Sequence, residues 1–142
     1  MSLGTGPTSR LAGLALSAAI VELTLTTAYI HLTLGGLLFT LNAVGYVALA
    51  VAIAVGAAAH PHPIIDRFSW LPRVGLAGFT LVTIAAYLVI GPYFSLGWVA
   101  KGIEVAILTL LAADVMRVYG SPMGLIRAAV ASRPGSSRMR PI

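Results

Sequence analysis

The chain has 142 residues, of which 58% are hydrophobic and 9% charged, with a formal charge of +5 and a mean hydropathy of +0.96. Soluble domains carry about 25% charged residues, so the composition excludes an ordinary water-soluble enzyme and predicts an integral membrane protein. The absence of cysteine excludes disulfides, thiolate metal sites, covalently attached haem and lipidated-cysteine anchors.

Residues 1–9 (MSLGTGPTS) predict a flexible start. The first apolar run, about 10–34, is too long for the h-region of a signal peptide and is expected to be a retained helix. Gly35-Gly36 predicts a tight turn. The second helix is expected over about 37–59, ending where Pro61 and Pro63 cannot continue it. A loop, His60–Arg73, carries Trp70 as an interfacial anchor. The third helix is expected over about 74–90, stopped by Gly91-Pro92, with Tyr93, Phe94 and Trp98 beyond it. The fourth is expected over about 97–118. Residues 121–142 read as a basic tail in which MGLIRAAV lies along the membrane surface.

The expected fold is therefore all-α: an antiparallel bundle of four transmembrane helices over 10–120, with no soluble domain. Arg10, Arg67, Arg73, Arg117, Arg127, Arg133, Arg138 and Arg140 lie outside the apolar runs, at alternate ends of successive helices. This pattern follows the positive-inside rule, puts both termini in the cytoplasm, and explains the basic charge without nucleic acid. The setting expected is the plasma membrane of a bacterium or archaeon.

The polar residues inside these runs are the candidate site. At 100° per residue, Glu22, Thr26, Tyr29 and Thr33 form one stripe on the first helix, whereas His31 points away from Glu22. The second helix offers Asn42 and Tyr46 on one face and a small-residue ridge, Ala48, Ala52 and Gly56, for close packing. The third offers Thr80, Thr83 and Tyr87; the fourth offers Lys101 and Glu104, spaced for an ion pair. Most of these lie in the outer half of the bilayer, with Asp114 beside Arg117 at the inner edge. A polar track that stops halfway predicts a pocket open to the outside or a sealed polar core, not a pore.

Glu22 carries three readings. It is a ligand or proton site, interhelical glue bonded to Asn42, Tyr46 or Lys101, or a contact with another subunit. If Glu104 reaches Glu22, the two acids raise each other's pKa so that one can remain protonated, which would support proton-linked chemistry. His31 is a weak metal candidate with no second ligand at suitable spacing, and His60 and His62, which flank Pro61 and can approach Asp66, are a weak HPH signal. No nucleophile elbow, phosphate loop or paired catalytic carboxylate is present.

The stretch LALSAAIVELTLTT is similar, over that helix alone, to small multidrug-resistance transporters, and TLNAVG to an asparagine motif of small fluoride channels. The HPHPIIDRFSWLPR loop and the missing phenylalanine-rich third-helix signature set the chain apart from both, and neither family is assigned. Two functions are expected from the sequence. One is a non-catalytic accessory or scaffolding subunit that docks on other membrane subunits or on itself through its Ala/Gly ridges and basic tail, with an outward-facing polar site that stabilises the bundle or holds a lipid, quinone or other small ligand. The other is a small oligomeric proton- or cation-coupled transporter working through Glu22 and Glu104.

Overall fold

The computed structural model describes residues 7–132, with side chains from Ser9 onward. All regular structure among them is helical: α1 (Pro7–Leu34), α2 (Leu37–Ala58), α3 (Pro63–Arg67), α4 (Trp70–Ile90), α5 (Ser95–Tyr119) and α6 (Pro122–Ala131). Within α1, α2 and α4, the spans Ser9–Leu34, Leu37–Ala58 and Trp70–Ile90 are long and apolar enough to cross a membrane. α5 is also long, at 25 residues, but carries Lys101, Glu104, Asp114 and Arg117.

The helix ends follow from local chemistry. Gly35 and Gly36 take φ of 71° and 87°, left-handed values that a side chain disfavours, and so reverse the chain between α1 and α2. α4 starts at Trp70, four residues before the expected Val74, because Pro72 falls in the first helical turn, where no backbone N–H has an intrahelical partner to lose. Gly120, with φ 71°, ends α5 and donates its N–H to the Met116 carbonyl. α6 then starts on a capped turn, in which Ser121 Oγ accepts from the Gly124 N–H at 3.0 Å. The expected flexible start and basic tail lie largely in 1–6 and 133–142, outside the described residues. The first part of the tail, α6, packs back on α4 and α5.

α1 packs against α2 and α5, and α4 against the other sides of the same two helices, so the four long helices close a ring. The core holds Ile20, Ala28, Tyr46, Ile53, Leu76, Ile107 and Leu111. Each of the four long helices leaves large hydrophobic residues exposed around it, Leu37, Val82, Val89 and Ile90 among them. Water-soluble monomers rarely expose such contiguous apolar area, and the surface is compatible with a membrane location.

The small-residue contact of α2 is not the expected ridge. Ala48 is exposed and Ala52 and Gly56 are only half-buried, while Ala43, Tyr46, Ala50 and Ile53 form the inner face. Gly45 supplies the close approach, since a Cβ there would stand 2.5 Å from Phe79 Cζ. The Phe79 ring is held edge-on against Tyr46 at 4.9 Å. Gly45→Val is therefore expected to overpack the α2–α4 contact and cost roughly 1–3 kcal/mol, read as a lower melting temperature in detergent. An unchanged melting temperature would mean that the Phe79 ring turns aside freely.

Candidate functional site

α5 places two acids in the bundle interior, and each collects partners from neighbouring helices. Glu104 is 0% exposed. Lys101 Nζ, one turn earlier on α5, donates to Oε2 at 2.5 Å. Thr27 of α1 donates to Oε1 at 3.4 Å, and His31 Nε2 lies 3.8 Å from the same oxygen. From α4, Thr83 Oγ1 stands 3.2 Å from Oε2 and 2.9 Å from the Thr80 carbonyl, so its single proton serves one of them. Tyr46 of α2 stands 2.8 Å from the same hydroxyl and can donate to it. All four long helices thus meet at one carboxylate.

The tautomer of His31 follows from its other nitrogen. Nδ1 is 2.7 Å from the Thr27 carbonyl, which can only accept, so Nδ1 carries a proton. Nε2 then presents Glu104 with either a lone pair or, in the imidazolium, a second N–H. Lys101 is 7% exposed and His31 3%, and the Tyr46 ring lies 5.6 Å from the imidazole. Tyr87 caps the node: Lys101 Nζ sits 5.5 Å from its ring centre, Trp98 packs edge-on against it, and its hydroxyl donates to the Phe94 carbonyl at 3.2 Å. Thr80 Oγ1 is buried with no hydrogen-bond partner among the described residues. With these burials the node is a sealed polar core, not a pocket open to the outside.

Asp114 forms the second node at the other end of the bundle. Arg73 Nε of α4 donates to Oδ2 at 2.7 Å, and Arg117 Nη2 to Oδ1 at 2.6 Å. Arg73 Nη1 also donates to the Ser69 carbonyl at 2.6 Å. The Arg117 guanidinium lies over α1 where Gly13 has no side chain; a Cβ there would fall 2.7 Å from Nη1. Between the two nodes Ile20, Leu76, Ile107 and Leu111 fill the interior.

The expected stripe on α1 is a correction. Glu22, Thr26, Tyr29 and Thr33 all face outward, and α1 turns Thr24, Thr27, Ala28 and His31 into the bundle instead. The physical reason is complementarity, since the inner face must offer Glu104 a donor, and a second carboxylate there would repel it. Glu22 accordingly reaches neither Glu104 nor Asn42, Tyr46 or Lys101. Asn42 is half-buried and outside the node. Of the candidate residues, Tyr46, Thr83, Tyr87, Lys101 and Glu104 are brought together. His31, Thr27 and Arg73 were missed as partners, although Thr24, Thr27 and His31 recur at helical spacing.

Thr26 and Thr33 turn their hydroxyls back to the Glu22 and Ile30 carbonyls. The Glu22 carboxylate and the Tyr29 hydroxyl have no partner among the described residues, and Tyr29 is 68% exposed. At the α2–α4 connection, His60 Nδ1 pairs with Asp66 Oδ1 at 2.8 Å in an exposed contact, and His62 is exposed just before α3. Among the described residues, no three His, Cys, Asp or Glu side chains converge to hold a metal ion. No family model matches the chain, and no curated protein or solved structure does.

Proposed function

We propose that the chain is a non-catalytic subunit of a larger membrane assembly. α1, α2, α4 and α5 cross the bilayer, the arginine-rich end lies in the cytoplasm, and the outward stripe of α1 is the docking face. The exposure of Glu22 carries this reading. It stands 12 residues from the C-terminal end of α1, about 18 Å along the helix axis and near the bilayer midplane. A carboxylate there costs roughly 2.5–3.5 kcal/mol on insertion scales when it faces lipid. A partner helix bringing a donor to Glu22 and Tyr29 removes that cost.

The sealed Glu104 node then serves as the joint that fixes the four helices. A proton- or cation-coupled transporter draws less support. Glu22 and Glu104 lie on opposite sides of the α1 wall, and Ile20, Leu76, Ile107 and Leu111 put an apolar layer between the two nodes.

Gentle extraction followed by native mass spectrometry tests the proposal. The wild-type chain is expected in a discrete assembly with other polypeptides. Glu22→Leu is expected to run free of them with an unchanged melting temperature, because the Glu22 carboxylate has no partner among the described residues. A wild-type chain that runs alone, or a Glu22→Leu variant that keeps its partners, would overturn it.

A further inference from the structure

At the arginine-rich end, α6 separates two adjoining apolar grooves of similar size. One, about 500 Å³, runs between α4 and α5 past Ala77, Gly78, Leu108 and Ala112, with Arg73 in its lining. The other, about 520 Å³, runs between α4 and α6 past Trp70 and Ile126. Val74 and Leu125 line both, so the two meet at a shared wall. We propose that they form the binding site of one anionic glycerophospholipid, with one acyl chain in each groove and the phosphate at Arg73.

Shape and charge both support this occupant. Two neighbouring apolar channels that meet at Val74, next in sequence to the Arg73 that lines one of them, match the plan of a diacyl lipid. Arg73 spends Nε on Asp114 and Nη1 on the Ser69 carbonyl, which leaves the Nη2 donors for a phosphate oxygen. The second node sets two guanidiniums against one carboxylate, so it carries an unmatched positive charge. Arg67 donates to a neutral group, the Ser132 carbonyl, at 2.9 Å, and Arg127 has no partner among the described residues. Met123, Ile126 and Val130 leave an apolar face exposed on α6, which suits a helix lying at headgroup depth. Basic pockets at the cytoplasmic ends of helices are where acidic headgroups bind.

The inference rests on the bilayer location proposed above and not on the partner at α1. Gly78 gives a clean probe, since a Cβ there meets nothing within 4 Å. A leucine there therefore enters the groove with no clash at its Cβ. Ala112→Leu, from the exposed opposite wall of the same groove, serves as a second filling variant.

The full chain would be exchanged into mixed micelles holding equal phosphatidylglycerol and phosphatidylcholine, and retained lipid counted by native mass spectrometry. One phosphatidylglycerol per chain is expected, favoured over phosphatidylcholine by about fivefold, and each filling variant is expected to cut retention by about tenfold or more. Equal retention of the two lipids would overturn the charge recognition. Retention unchanged in both variants, or no retained lipid in the wild type, would overturn the site. A chain that loses its partners yet keeps its lipid would separate this inference from the docking proposal.

Discussion

Glu104→Ala is expected to destabilise the bundle by about 3–5 kcal/mol, because removing one member of a buried ion pair leaves the other charge uncompensated. The burden falls on Lys101, which is buried beneath Tyr87 and Trp98, and on Thr27 and Thr83, which lose their common acceptor. Glu104→Gln keeps the shape and should cost less, since its amide still accepts from one threonine. The double variant Lys101→Met with Glu104→Met removes both charges and should recover most of the loss, a strong departure from additivity. Unfolding in mixed micelles titrated with a denaturing detergent reads all three. If the alanine variant unfolds at the wild-type midpoint, Lys101 has swung its amine out to the interface along its four-carbon stem.

Asp114→Asn should have the second largest effect, about 2–3 kcal/mol, which is below the usual range for a broken buried pair. The Arg117 side chain is 40% exposed, and water shares the stabilisation of its charge. Arg73, with 16% exposure, has less relief and still faces a second guanidinium across the vacated carboxylate. The effect should be local. Amide exchange is expected to rise around Gly13, where the Arg117 guanidinium now rests, and at the start of α4, while α2 keeps its protection. Uniform protection across the chain would show that the second node adds nothing to the packing of α1.

The existence and approximate limits of the four long helices were legible from apolar runs and from glycine and proline. Their ends moved where a proline sat in a first turn, as at Pro72. The Lys101–Glu104 pair was legible because both members lie on one helix. The partners of Glu104 from other helices were not, because the rotation of a helix that is apolar nearly all round leaves little mark in its sequence. On α1 two polar stripes compete, and the one with the formal charge drew attention. The bundle buries the milder stripe, Thr24, Thr27 and His31, whose donors suit a buried carboxylate, and leaves Glu22 outside. Arg73 read as a loop charge because α4 was expected to start after it.

Chain order has a bearing on how this protein is made. α5 is the long helix least able to enter lipid by itself, since its four charges oppose partitioning. Among the described residues, the partners that neutralise or hydrogen-bond those charges from another helix (Thr27, His31, Arg73 and Thr83) all precede α5 in the sequence. A ribosome working from the N-terminus has therefore delivered α1, α2 and α4 to the membrane before α5 leaves the exit tunnel. α5 is received into a cradle already waiting for it.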